Sequence, residues 1–176
     1  MRRPPTDPVN DLLSLGYTLL LNQIIAAVNL VGFDPYFGTL HSMDYGRPSL
    51  ALDLMEEWRP TIVDTLVLSV FNLKALTPSD FEEKPWGAAE DADEKEVVDE
   101  PLATPDAGRK EKIAFVLTED GFRKFIIQYE RKMAQKVQHH LTREQLTYRD
   151  CIREHVRHFA RYLKGEENEY QPMPLR

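Results

Sequence analysis

Apolar residues fill most positions of "LLSLGYTLLLNQIIAAVNLVGF", residues 12–33, a density that predicts one long helix buried in the middle of a bundle. Asp7 as N-cap and Pro8 at the first helical position open it, and Gly32 closes it after Val31. "FDPYFGTLHSMDYGRP" (33–48), with two glycines and two prolines, then reads as loop. Ser49 is set to cap the helix "LALDLMEEW", which Pro60 breaks or kinks near Trp58 unless it opens a fresh one. "TIVDTLVLSVFNLKAL" predicts a second strongly apolar helix to about Leu76. "IAFVL" (113–117) fits a short strand paired with "DFE" at 80–82. Thr118 caps a helix predicted over 119–140, with two acids in its first turn. A capping box, Thr142-x-x-Gln145, opens a last helix that ends at Gly165 and buries Tyr148, Ile152, Phe159 and Leu163. The fold class is therefore all-α: a helical bundle with at most one small β-hairpin.

Composition narrows this picture. A chain of 176 residues, 42% hydrophobic and 29% charged, suits a single soluble globular domain over 1–176. Asn22, Gln23 and Asn29 are costly in lipid, so the long apolar run reads as a core helix and not a membrane span. No signal-peptide core follows "MRRPPTDPVN", and a single cysteine fits a reducing, cytoplasmic setting.

The net charge of −7 hides a division along the chain. Residues 82–106 hold ten acids and two lysines, whereas residues 109–164 hold fourteen Lys/Arg and seven Asp/Glu. The acidic stretch, within about 77–112, predicts a flexible insertion. The basic half suggests a nucleic-acid partner. Arg149, Arg153, Arg157 and Arg161 follow at i+4 and form a slowly winding stripe, either DNA-binding or a solvated face paired with Asp150 and Glu154.

The chain has no Gly-rich phosphate loop, CxxC, HExxH or GxSxG, which removes the enzyme classes built on them. Cys151 reads as packing. His139 and His140 close a basic helix, and His155 and His158 share a face as packing or basic-face residues. His41 precedes a helix whose Asp53, Glu56 and Glu57 lie among leucines. Asp53 shares a face with each glutamate, and a carboxylate held against apolar neighbours needs a donor or a cation. Arg59, three residues past Glu56, can be that donor. The alternative is a divalent ion bound by His41 and a carboxylate, with Mn²⁺ or Mg²⁺ suited to the mixed ligands and to phosphoryl transfer.

Three segments, "RRPPTDPVNDLLSLGYTLL", "GTLHSMDYGRPSLALDLMEEWRPTIVD" and "FVLTEDGFRKFIIQYERKM", resemble the CRISPR-associated endonuclease that acts as the integrase of spacer acquisition. The resemblance implies the family's C-terminal helical catalytic lobe, without its N-terminal β domain. It implies metal ligands at His41 and Glu56, Asp53 near the metal, and Arg59 where a basic, DNA-facing residue follows. The family's first ligand, a glutamate, lies ahead of the "RRPP" segment, and no glutamate precedes Glu56 here; the chain accordingly reads as a fragment with an incomplete site. The implied chemistry is attack of a DNA 3′-hydroxyl on a phosphodiester of the CRISPR array. Implied partners are protospacer and repeat DNA, a second copy of the chain, and the companion small adaptation subunit. The competing readings are a non-catalytic helical DNA-binding or assembly module, and an unrelated helical hydrolase of small phosphoesters.

Overall fold

The computed structural model describes residues 7–38, 47–86 and 112–173. Helix α1 spans Pro8–Val31 as the capping residues dictate: Asp7 Oδ1 accepts from the Asn10 N–H at 2.9 Å, and Gly32 turns left-handed at φ 85°. Its buried stripe is Leu12, Gly16, Leu20, Ile24, Ala27 and Val28. The expectation of burial all round is corrected here. One stripe at i+4 spacing is covered, the flanks are half-buried, and Leu30 is 73% exposed. By length and composition α1 could cross a membrane; in the fold it packs on the helices Ser49–Glu56, Thr65–Asn72 and Tyr148–Leu163. Gly16 permits a close approach, since a Cβ there would lie 2.6 Å from Val63 Cγ1.

Helix α2 spans Ser49–Glu56 and is preceded by Pro48 at the cap position. Ser49 does not cap it; it is the buried first residue, and its N–H donates to the Arg47 carbonyl at 2.8 Å. Pro60 has no N–H to continue the ladder, so the chain widens into a single π-helical turn, Pro60–Asp64, and resumes as α3, Thr65–Asn72. A short 3₁₀ turn, Pro78–Asp80, leads into β1, Phe81–Trp86. Strand β1 pairs antiparallel with β2, Lys112–Leu117, in the register Phe81↔Leu117, so "DFE" and "IAFVL" meet as predicted. Of the acidic insertion, residues 87–111 lie outside the described residues.

Helix α4 runs Glu119–Ala134, with the Thr118 hydroxyl accepting from the Gly121 N–H at 3.1 Å. It ends earlier than the predicted residue 140. Gln135 turns extended, and β3, Lys136–Gln138, pairs antiparallel with β4, Gln145–Thr147. Val137 and Leu146 face each other in that pair and pack on the core, which favours strand over helix here. Helix α5, Tyr148–Leu163, is therefore capped by Thr147, whose hydroxyl accepts from the Asp150 N–H at 3.1 Å. The predicted capping box at Thr142 is not formed; Thr142 sits in the β3–β4 turn near His139 Nδ1. The mostly helical class holds, with two small strand pairs among the described residues instead of one. Tyr148, Ile152 and Phe159 are buried as expected, but Leu163 is 52% exposed, and Cys151, His155, Val156 and His158 complete the inner face.

Candidate metal and nucleic-acid site

Helix α2 carries the acidic side chains singled out by their spacing. Asp53 is buried, and its Oδ2 lies 3.3 Å from where a Cβ on Gly38 would stand. The loop that leads toward His41 is thus pressed onto the Asp53 face of α2. A Cβ on Gly38 would also lie 2.4 Å from Ser49 Cβ, so the approach requires glycine. One turn on, Glu56 points outward with its side chain 52% exposed, and its Oε1 accepts from Arg59 Nη1 at 2.6 Å. The Arg59 guanidinium lies 4.2 Å from the Tyr17 ring centroid, and the Tyr17 hydroxyl donates to Asp64 Oδ1 at 2.6 Å. Burial and the bond to Asp64 raise the Tyr17 pKa.

Glu57 is committed to a different task. Its carboxylate accepts from the Tyr170 hydroxyl at 2.5 Å and the Met173 N–H at 2.6 Å, with His155 Nε2 at 3.2 Å. Because the Tyr170 O–H points to Glu57, its oxygen accepts from His155 Nε2 at 2.7 Å. His155 is thereby fixed as the Nε2–H tautomer, with a buried Nδ1 that has no hydrogen-bond partner among the described residues. Burial works against the Glu57 charge, yet His155, Tyr170 and the Met173 N–H outweigh it and hold the carboxyl below its usual range. His158 is seated alongside: its Nε2 accepts from the Gln171 N–H at 3.0 Å, and its Nδ1 meets Glu167. These two histidines are packing residues, each with a carboxylate partner outside its own helix. His139 does not close a helix but is buried after β3, where desolvation lowers its pKa.

The fit to a divalent ion is partial on the described residues. Asp53 and Glu56, a turn apart on α2, supply the oxygen donors that Mn²⁺ or Mg²⁺ prefers. Among the described residues no three His, Cys, Asp or Glu side chains form a metal-holding group. His41, the remaining expected ligand, lies outside the described residues.

Each arginine of the α5 stripe meets a carboxylate. Arg149 bonds Gln23 at 3.2 Å and Glu130 at 2.7 Å, and Arg153 bonds Asp150 at 3.2 Å. Arg157 reaches Glu154 at 3.4 Å, and Arg161 bonds both Glu154 and Glu167. Arg153 and Arg157 border an open groove of about 440 Å³ with Thr142, Glu144, Leu146, Asp150 and Glu154. The groove thus mixes both signs of charge.

A family profile described as CRISPR associated protein Cas1 matches residues 1–104. The chain belongs to the Cas1 family. It is 37% identical over 175 residues to a CRISPR-associated endonuclease Cas1 of Thermus thermophilus, covering 99% of this chain and 45% of that relative. A casposase bound to integration product has the same fold at 28% identity and a TM-score of 0.74, over 95% of this chain and 38% of the casposase. A partial Cas6-RT-Cas1–Cas2 complex, at 20% identity and a TM-score of 0.71, matches all of this chain and 45% of that one, and establishes the fold alone. The chain spans about half the length of the curated relatives it matches, or less.

Tyr17, Asp64 and Tyr170 were not found by sequence reasoning. Their partners lie 47 residues away or more, in the case of the Tyr17–Asp64 and Tyr170–Glu57 bonds, and no local spacing signals them.

Proposed function

We propose that this chain is the helical catalytic lobe of a metal-dependent DNA endonuclease and integrase that inserts spacer DNA into a CRISPR array. Membership of the Cas1 family carries the reading. The likeness to a casposase bound to integration product supports DNA as the substrate class. His41 and Glu56 would hold one Mn²⁺ or Mg²⁺, with Asp53 beside them. When bound, the ion supplies Lewis-acid stabilisation of charge on the attacked phosphate and leaving oxygen. The chain's own contribution on the described residues is to orient the Asp53 and Glu56 carboxylates on one helix. Glu57, one residue on, is clamped by Tyr170, His155 and Met173, which fixes the end of α2 that bears Glu56. Arg153 and Arg157, the more exposed members of the α5 stripe, are cations available to phosphates, while Arg149, Arg161 and, beside the site, Arg59 are more firmly engaged by carboxylates. The companion small adaptation subunit and a second copy of the chain complete the assembly in this reading.

The test is a branched DNA duplex with a free 3′ end, incubated with the purified chain and Mn²⁺. Metal-dependent nicking or joining that is lost in Glu56→Ala supports the lobe as catalytic. Salt-sensitive DNA binding without any product supports a helical binding or assembly module instead.

A further inference from the structure

Glu56 does not stand alone on its helix; three side chains from two further elements form a chain behind it. Arg59 donates to only one of its oxygens, Oε1, at 2.6 Å. The guanidinium in turn lies over the Tyr17 ring at 4.2 Å, and Tyr17 is tied at its other end to Asp64 at 2.6 Å. Tyr17 comes from α1, whereas Asp64 closes the π-helical turn that Arg59 caps, so the ring under Arg59 is supplied by a different element and not by the local helix. An exposed i, i+3 pair alone contributes little and leaves both side chains free to reorient. A ring face beneath the guanidinium removes much of that freedom, because the cation is attracted to the ring quadrupole and its plane is set.

We propose that Tyr17 is a positioning residue for Glu56: its ring seats Arg59, and Arg59 fixes one carboxylate oxygen so that the other is presented to a divalent cation. This rests on the reading of Glu56 as a metal ligand. Two physical effects oppose each other here. The positive guanidinium repels a nearby cation, while a hydrogen bond that orients a ligating carboxylate typically raises metal affinity by about 10–100-fold. A carboxylate has lone pairs enough for both partners, since each oxygen can accept separately. Orientation therefore outweighs repulsion, and removing Arg59 weakens the site.

The sign of that effect is the test. Mn²⁺ affinity is measured by titration calorimetry on the full chain and on Glu56→Gln, Arg59→Gln, Tyr17→Phe and Tyr17→Leu, with folding checked by circular dichroism. Arg59→Gln and Tyr17→Leu are expected to weaken binding roughly tenfold or more. Tyr17→Phe keeps the ring and loses the hydroxyl, with its Asp64 bond and its interaction with Arg59, and is expected to bind more tightly than Tyr17→Leu because the ring still seats the guanidinium. In the Glu56→Gln background, Arg59→Gln is expected to add nothing, because its action runs through that carboxylate. If Glu56→Gln binds as tightly as the wild type, the ligand reading itself fails. If Glu56→Gln weakens binding but Arg59→Gln leaves it unchanged or tightens it, the positioning role is overturned. A loss in Tyr17→Phe equal to that in Tyr17→Leu also overturns it, by assigning the effect to the hydroxyl. Should Tyr17→Leu fail to fold, the half-exposed Arg59→Gln still decides the matter.

Discussion

Replacing Tyr170 with phenylalanine removes one oxygen from the Glu57 clamp and nothing else. That oxygen donates to Glu57 at 2.5 Å and accepts from His155 at 2.7 Å. The ring contacts survive: Phe159 packs edge-on at 5.4 Å and His158 stacks at 5.6 Å between centroids. His155 Nε2 retains Glu57 Oε2 at 3.2 Å, so no donor is orphaned there. The loss is then mainly one hydrogen bond to a charged acceptor, about 2 kcal/mol. For a chain of this size that corresponds to a melting temperature lower by about 4–8 °C. The pH dependence follows from Glu57, whose carboxyl is held below its ordinary value in the folded state. A depressed folded pKa contributes stability above the unfolded carboxylate pKa of about 4.3, lost as pH falls through the folded value. Urea unfolding of wild type and Tyr170→Phe at neutral and acidic pH reads both effects. The difference should be largest near pH 7 and narrow below about pH 4. Equal stabilities at pH 7, or a difference that persists undiminished in acid, would refute the clamp.

Two further substitutions test the packing and the caps. Gly16→Ala should destabilise by about 1–3 kcal/mol, because the new Cβ meets buried Val63 at 2.6 Å and overpacking outweighs the usual helix gain; a higher melting temperature would contradict that close approach. Thr147→Ala should cost about 1 kcal/mol as a lost N-cap, whereas Thr142→Ala should change stability by less than about 0.5 kcal/mol. Chemical denaturation of the pair distinguishes the observed start of α5 from the one the Thr142-x-x-Gln145 pattern suggests.

Local chemistry was legible in the sequence wherever the deciding contacts were local. Asp7, Pro8 and Gly32 set the ends of α1 through bonds spanning a few residues, and Thr118 did the same for α4. The Glu56–Arg59 pair followed from i, i+3 spacing in the same way. Legibility failed where tertiary packing overrode a good local pattern. Thr142-x-x-Gln145 looks like a helix start, but Val137 and Leu146 gain more by pairing across β3 and β4 on the core. The roles of His155 and His158 were hidden for a related reason: Glu57 and Glu167 reach them only once α2 and the C-terminal segment fold onto α5. At the candidate site, spacing brought out Asp53 and Glu56, and the choice of Glu56 over Glu57 came from family resemblance. In the fold Glu57 accepts from Tyr170 and Met173 and lies against His155, whereas Glu56 is exposed and bonded to Arg59.

The central claim is that Glu56 and His41 hold one divalent ion. A calorimetric titration of Mn²⁺ into the wild-type chain, His41→Ala and Glu56→Ala tests it most directly. The account predicts saturable binding to the wild type that both substitutions sharply weaken, with each variant retaining its helical content. Binding that is unchanged in either variant would contradict it.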